Sequence, residues 1–255
     1  MKINYQEENA RIVDGWCKKG WKWGQAIDHE EFLAAKNGEW KIFLTPTKPV
    51  PSCWFGDLKD KRILGLASGG GQQMPILSAL GAKCTLLDIS ESQCRSDAMV
   101  AEREGYEIEI IKGDMSKKLP FEDGTFDYIV NPVSNCYIED VRSLFKECYR
   151  VLKKEGILLC GLDNEINCVF NDEQTSIVYK LPFNPLKDEK IYQDSIKYDW
   201  GIQFSHPIED QIGGQLEAGF TLLSIYEDTN GYGFLHEHGI PTFYATRSVK
   251  KVYDK

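Results

Sequence analysis

The sequence predicts an α/β protein with a doubly wound, mostly parallel sheet, and three observations predict it. Short apolar runs alternate with helical stretches of about 10–15 residues in the central part of the chain. A glycine-rich turn follows the first apolar run. An aspartate lies at the end of each of the next two runs. Strands separated by helices pair in parallel through crossovers, which gives a sheet with helices on both faces.

The central elements follow from this alternation. Pro75 falls in the first turn of the first helix of this region, where its missing N–H is harmless. Gly156, after the basic pair Lys153-Lys154, predicts the end of a helix. In chain order we predict strand Ile63–Ala67, helix 72–81, strand Cys84–Leu87, helix 91–104, strand Glu107–Ile111, strand Phe126–Val130, helix 139–152 and strand Ile157–Leu162.

The last part of the chain follows a different pattern. A helix is predicted near 207–218 and ends at Gly219. Two strands follow, Phe220–Tyr226 and Phe243–Thr246, with no helix predicted between them. We therefore expect these two strands to pair antiparallel at the sheet edge.

Two segments lie outside the alternation. Three prolines between Thr45 and Pro51 predict a boundary after the N-terminal segment. Five of the six tryptophans precede residue 55, and they either dock that segment on the core or line a ligand pocket. The second segment is 163–206, where we expect strands at Ser176–Leu181 and near Ile196–Phe204. The predicted organisation is a tryptophan-rich cap segment 1–56 and a main domain 57–255, with a core at 57–162 and 207–248 and an insertion at 163–206 that joins the cap over the site.

Composition narrows the class of protein. The chain has 30 basic and 39 acidic residues, a net charge of −9, and its lysine pairs are scattered among acids, so we expect no nucleic-acid partner. The polar N-terminus predicts no signal peptide, and the longest central apolar run, Ile157–Leu162, is too short to span a membrane. Eight cysteines occur without a C-x-x-C pair, as in a cytoplasmic protein with free thiols. The sequence carries no signal of oligomeric state.

Three motifs at strand ends predict an adenine-nucleoside site. Glycines in the turn 67–72 let the backbone approach a ligand closely, beside a helix N-terminus. Asp88 ends the next strand 19 residues after Gly69, where a carboxylate accepts both ribose hydroxyls. After the third strand, Asp114 is placed to accept the adenine amine and Met115 to cover the ring. The three motifs meet in the crevice where open α/β sheets bind ligands.

The motifs also discriminate among adenine cofactors. A dinucleotide fingerprint that begins at Gly69 would need a third glycine at position 74, which is Met74. No Walker A lysine follows the glycines, so a nucleoside triphosphate lacks its cation. A dinucleotide-dependent oxidoreductase or a non-catalytic nucleoside-binding relative stays as the alternative to the assignment below.

Six features of the sequence together point to one protein family. They are ILGLASGGGQ at 63–72, Asp88, GDM at 113–115, FDYIVNPVSNCY at 126–137, RVLKKEGILL at 150–159 and LEAGF at 216–220. With them the sequence resembles the class I S-adenosylmethionine-dependent methyltransferases, closest to the broad group that methylates small molecules and quinones. The resemblance covers roughly 57–162 and 207–248. It implies a Rossmann-like, seven-stranded sheet whose antiparallel seventh strand is Phe243–Thr246, and methyl transfer from S-adenosyl-L-methionine to a small-molecule acceptor.

The resemblance assigns the methionine end of the cofactor to the first and fourth strands. The backbone around Ala67, Ser68 and Gly69 would hold the methionine part. Asn131 would face the methionine amino group through its backbone carbonyl. The chain departs from the family at Gly65, where an acid is usual, and at Ala67, where the first glycine is usual.

The resemblance assigns the adenosine end to the second and third strands. Asp88 would bind the ribose, with Ile89 packing on adenine. Gln93 would lie beside the purine, and Asp114 and Met115 would bracket the adenine amine.

The catalytic residue is not identified by the sequence. Methyl transfer from a sulfonium depends on a near-attack geometry that supplies roughly 7–11 kcal/mol, and it needs a base only when the nucleophile starts protonated. Asn135 and Tyr137 are candidates to orient a substrate, or else they cap the following helix. His206 is expected near the rim of the site.

The pair His236 and His238 suits a metal only if the backbone there is extended. No companion ligands accompany the pair, so we predict no metal and a hydrophilic turn. A substrate-gating loop is the alternative role for this turn.

Overall fold

The computed structural model describes residues 4–251, so the first three residues of the predicted cap and the last four of the predicted main domain lie outside the described residues. Seven strands form one sheet in the order β3-β2-β1-β4-β5-β7-β6. The first five strands are parallel, and β7 runs antiparallel to both β5 and β6. The predicted fold class is confirmed. The strands are β1 Arg62–Leu66, β2 Lys83–Asp88, β3 Ile108–Lys112, β4 Phe126–Asn131, β5 Leu152–Asp163, β6 Thr221–Asp228 and β7 Phe243–Val249.

The helices begin at capping residues that the sequence provides. Ser90 Oγ accepts the backbone N–H of Gln93 and starts α4, which ends at Gly105 in the left-handed conformation. Asp140 caps α5 in the same way through Ser143. The helices are α1 Tyr5–Lys18, α2 His29–Lys36, α3 Gln73–Ala79, α4 Glu91–Glu104, α5 Val141–Val151, α6 Glu189–Lys197, α7 Gly214–Ala218 and α8 Gly233–Glu237, and a π-helical stretch Glu209–Gly213 runs into α7.

The predicted helix end at Gly156 is wrong. Helix α5 ends at Val151, and β5 starts at once because Leu152 pairs with Phe126 of β4. Glu155 has φ 61°, so the chain turns sharply within the strand. Tertiary pairing of fully buried residues therefore overrides the local helix-stop pattern.

The two strands predicted within the insertion are also wrong. Ser176–Leu181 contributes only an isolated bridge between Ile177 and Phe170, and Ile196–Phe204 forms no strand. Instead, Asp188 accepts backbone N–H groups and starts α6, whose buried face includes Ile191. The short helix α8 lies between β6 and β7, which nevertheless pair antiparallel as predicted.

The hydrophobic core has two layers, one on each face of the sheet. Alternate residues of β1 show this, because Ile63 belongs to one layer and Leu64 to the other. The first layer includes Phe32 and Trp54, so the N-terminal segment shares its core with the sheet. The division at residue 56 stays a prediction. Among residues 4–251, no helix has the length and apolar character needed to cross a bilayer.

Candidate active site

A cavity of about 780 Å³ opens at the carboxyl ends of β1, β4 and β5. This volume is in the usual range for sites that bind small molecules. Trp21 and Trp23 of the N-terminal segment line it, as do Ala67 and Gly69 after β1. Trp54 is instead buried in the core, so the tryptophans divide between docking and lining.

The glycine-rich turn is fixed by two buried aspartates. Gly69 N–H donates to Asp88 Oδ2 at 3.0 Å, and Gly71 N–H donates to Asp97 Oδ2 at 2.9 Å. A Cβ at Gly69 would lie 2.6 Å from Gln93 Cβ and 2.9 Å from Asp88 Oδ2. Only glycine therefore fits at position 69 without displacing the carboxylate.

Asp88 is well placed to accept hydrogen bonds from a ligand. Its second oxygen accepts the N–H of Ser90 at 2.9 Å. Burial raises the pKa of Asp88 to about 6. An ionised carboxylate offers about four lone-pair sites, of which these two amides use two. Two sites suffice for the two hydroxyls of a ribose, so the donor set fits a nucleoside.

The side chain of Gln93 is a second indication that the site fits a nucleoside. Its side chain lines the cavity, and Nε2 donates to the backbone oxygen of Trp23 at 3.3 Å. Its Oε1 is buried without a hydrogen-bond partner. A buried acceptor without a partner is unfavourable, so a ligand N–H or O–H here would be stabilising.

The residues predicted for the methionine end lie around the same turn. Ala67 lines the cavity and has φ 48°, a left-handed conformation that usually favours glycine. The Ser68 hydroxyl is buried and donates to Gln73 Oε1 at 3.2 Å. The Asn131 side chain donates to Leu66 O at 2.8 Å and to Ser134 Oγ at 2.8 Å, and the role of its backbone carbonyl stays a prediction. A Cβ at Gly65 would lie 2.6 Å from Met74 Sδ, which explains why a glycine stands in this strand.

Of the residues predicted for the adenosine end, Gln93 lines the cavity, and the other four lie outside its lining, namely Asp88, Ile89, Asp114 and Met115. Ile89 is partly buried beside Asp88. Asp114 accepts the N–H of Ser116 at 2.8 Å, and Met115 is packed in the second core layer. The predicted roles of Ile89, Asp114 and Met115 stay predictions.

One of the three predicted substrate residues lines the cavity. Tyr137 does so, and burial raises its pKa. Asn135 is buried, and its Nδ2 contacts Cys160 Sγ at 3.6 Å. His206 is buried rather than at the rim, and its ring Nε2 is 2.9 Å from the carbonyl oxygen of Ile138. The structure thus separates Asn135 and His206 from the cavity surface.

Sequence reasoning missed two buried carboxylates. Asp97 holds the glycine turn, as described above, and burial raises its pKa to about 7. Asp163 ends β5, lines the cavity, and is 4% exposed. An aspartate at the end of a parallel strand is the signal that identified Asp88, and the same signal was present at Asp163.

The segment with three prolines lies beside the cavity rather than only marking a boundary. Thr45, Pro46 and Thr47 are part of the lining. Asp228 Oδ2 accepts the backbone N–H groups of Thr47 at 2.7 Å and Lys48 at 2.9 Å. This carboxylate at the end of β6 therefore fixes one wall of the cavity.

The two histidines near the C-terminal end of the chain make separate local contacts. His236 Nδ1 is 2.7 Å from Thr229 Oγ1, and His238 Nδ1 is 2.8 Å from Phe234 O. His236 lies in α8 rather than in a turn. Within the part of the chain that the structure describes, no group of three or more histidine, cysteine or acidic side chains is arranged around a metal position.

Comparisons with known proteins converge on one family. Residues 64–160 match the methyltransferase domain family. The chain is 40% identical over 249 residues to the uncharacterized methyltransferase YbaJ of Bacillus subtilis, across 95% of this chain and 97% of that protein. It is 28% identical over 185 residues to a demethylmenaquinone methyltransferase of Staphylococcus epidermidis, across 70% of this chain and 75% of that protein.

Two solved structures share the fold at low sequence identity. One is an S-adenosylmethionine-dependent methyltransferase from Mesorhizobium loti, with a TM-score of 0.60 and 16% identity, across 77% of this chain and 94% of that one. The other is a putative methyltransferase of the same kind from Listeria monocytogenes, with a TM-score of 0.60 and 15% identity, across 86% of this chain and 100% of that one.

Proposed function

The chain belongs to the class I S-adenosylmethionine-dependent methyltransferases, and on this premise we propose that it methylates a small molecule bound in the 780 Å³ cavity. The observation that carries the proposal is the cradle formed by Gly69, Asp88 and Gln93. Asp88 has lone pairs for a ribose, Gln93 has a buried acceptor without a partner, and position 69 excludes any side chain.

The protein contributes mainly by positioning the reactants. S-adenosylmethionine, when bound, supplies an electrophilic methyl group on a sulfonium sulfur. Asp88 and Gln93 would hold its nucleoside, and the backbone at Ala67 and Gly69 would hold its methionine part. Trp21 and Trp23 cover the cavity from the N-terminal side and help to exclude water. Positioning of this kind is worth roughly 7–11 kcal/mol of the barrier.

We call the part of the cavity lined by Phe170, Tyr137 and Phe243 the acceptor half. It suits a molecule with an apolar or aromatic body. The two tryptophans line the same cavity, and amide side chains such as that of Gln203 are also part of its lining. Small-molecule sites commonly combine aromatic walls with a few polar groups. The relative from Staphylococcus epidermidis is named for a quinone substrate, which supports the same class of acceptor here.

Thermal unfolding with two competing ligands tests the proposal. S-adenosylhomocysteine at 100 times its Kd should add about 2.7 kcal/mol to the free energy of unfolding, and NADH at the same concentration should add nothing. Stabilisation by NADH without stabilisation by S-adenosylhomocysteine would contradict the proposal and favour a dinucleotide-dependent enzyme.

A further inference from the structure

We propose that Asp163 is a catalytic residue that contacts the acceptor and takes a proton from its attacking oxygen, so that the acceptor is a hydroxyl compound such as a phenol. This inference rests on the proposed function. It goes further because it names the base and the chemical class of the acceptor.

The position of Asp163 in the sheet places it on the acceptor side. Strands β2, β1, β4 and β5 are successive neighbours, and adjacent strands lie about 4.8 Å apart. Strand β5 is therefore displaced sideways by about 10 Å from β1 and by about 14 Å from β2, the strand that ends at Asp88. Asp88 and Asp163 thus belong to opposite sides of the same crevice.

The register of β5 brings Asp163 forward into the cavity. Asn131, the last residue of β4, pairs with Cys160. Asp163 is three residues further along β5, about 10 Å beyond the end of β4. The chain after β4 turns away there into the loop that carries Tyr137, and both Tyr137 and Asp163 line the cavity.

One oxygen of the Asp163 carboxyl group has no hydrogen-bond partner. This atom, Oδ1, is buried. Gln211 Nε2 donates at 2.8 Å to the backbone oxygen of Asp163, and hydrogen bonds from the Asp163 backbone and the Gln211 side chain lower the pKa of the carboxyl group by less than burial raises it. A buried carboxyl oxygen without a partner destabilises the fold unless a ligand compensates for it.

The groups around Asp163 keep its proton affinity high. Burial is the main cause that raises its pKa to about 7, and Glu165 adds to the effect. A base with a pKa near the working pH is efficient in general base catalysis. Besides Glu165, the titratable side chains that face Asp163 are the thiols of Cys136 and Cys168 and the phenols of Tyr137 and Tyr244.

The proposed step is balanced in atoms and charge. The acceptor O–H bond breaks, and its proton passes to the ionised carboxylate of Asp163. A lone pair of that oxygen forms the new O–CH₃ bond, while the bond between the methyl group and sulfur breaks and leaves its electron pair on sulfur. The positive charge of the sulfonium and the negative charge of Asp163 disappear together.

Calorimetric binding of 2-naphthol to the complex with S-adenosylhomocysteine tests the inference. Its hydroxyl donates well only to the ionised carboxylate, so its affinity should rise roughly tenfold between pH 6 and pH 8. The methyl ether, 2-methoxynaphthalene, has no O–H and should show no such rise. Asp163→Asn should abolish the rise for 2-naphthol, and Asp163→Glu should keep it.

Asp172→Asn is the matched control, because Asp172 is an exposed carboxylate at the mouth of the same cavity. It should leave the pH dependence unchanged. An equal rise in wild type and Asp163→Asn would overturn the inference, as would the absence of saturable 2-naphthol binding. Failure of S-adenosylhomocysteine to bind in the first step would overturn the proposed function instead, so the two failures are distinguishable.

Discussion

The two sides of the crevice each have a buried aspartate at a strand end, but the two carboxylates have different surroundings. Asp163 lines the cavity, whereas Asp88 lies outside its lining. Both oxygens of Asp88 accept backbone N–H groups, from Gly69 and Ser90. Asp163 has an oxygen without a partner. The cofactor half is therefore organised by the fold itself, whereas the acceptor half has polar groups that only a ligand completes.

The halves also differ in how they are assembled. The cofactor half comes from consecutive strand ends. The acceptor half depends on contacts between the N-terminal helix and the insertion. Asn9 exchanges hydrogen bonds with the backbone of Ile202 at 3.0 and 2.7 Å, Trp16 Nε1 donates to Asp199 O at 2.9 Å, and the ring of Tyr5 packs on Phe204.

The largest expected effects are on the free energy of unfolding, and they test whether the sheet and the cap unfold independently. Phe145 and Phe204 are each about 1% exposed. Phe145 lies in the second core layer, and Phe204 lies in a separate small cluster with Tyr5 and Ile202. Each substitution to alanine should cost about 3–5 kcal/mol. Hydrogen exchange should show loss of protection throughout the sheet for Phe145→Ala, but only in α1 and residues 183–206 for Phe204→Ala. Equal loss in both variants would show that the two regions unfold as one unit.

The next effect is the dependence of folding stability on pH that the buried Asp163 causes. Its pKa is raised from about 3.9 in the unfolded chain to about 7 in the fold. The folded state then binds the proton more tightly, so stability falls as pH rises from about 4 to about 7. Between pH 5 and pH 8, urea unfolding should show that wild type loses more stability than Asp163→Asn, by on the order of 2–4 kcal/mol. Parallel pH curves for the two proteins would show that Asp163 is already ionised at pH 5.

Asp88→Ala should weaken binding of S-adenosylhomocysteine by on the order of 1–3 kcal/mol, because charge-assisted hydrogen bonds are lost. Calorimetry measures this directly, with Asp172→Ala as the control that removes an exposed carboxylate. Unchanged affinity in Asp88→Ala would refute the ribose assignment.

The smallest effect concerns Ala67, which holds a left-handed conformation at φ 48°. Glycine relieves a strain of about 1–2 kcal/mol there and adds about 0.5–1 kcal/mol of backbone entropy cost. Ala67→Gly should therefore stabilise the protein by up to about 1 kcal/mol in urea unfolding. Ala98→Gly, in the exposed part of α4, should destabilise it by a similar amount. Destabilisation by both variants would contradict the strain argument.

The cofactor half could be predicted because its determinants are local. Gly69 and Asp88 are 19 residues apart. Gly69 lies in the turn after β1, and Asp88 ends the neighbouring strand β2, so one βαβ unit brings them together. The acceptor half could not, because the contact between Asn9 and Ile202 joins residues 193 positions apart. A single sequence contains no periodicity that reports such a pairing. Asp163 is intermediate, since its strand is predicted to end one residue earlier, at Leu162.

Local patterns also failed where long-range pairing competed with them. The glycine at 156 follows a basic pair, as helix ends often do, but Leu152 is already paired with β4. In the insertion, the expected strand near Ile196–Phe204 is absent. The aspartate at 188 caps helix α6, which ends at Lys197, and residues 198–204 form no regular element.

A crystal structure of the complex with S-adenosylhomocysteine tests the central claim most directly. We expect the ribose to lie within hydrogen-bond distance of Asp88 and the sulfur to face the part of the cavity between Tyr137 and Asp163. Binding at any other place, or a sulfur that faces away from Asp163, would contradict it.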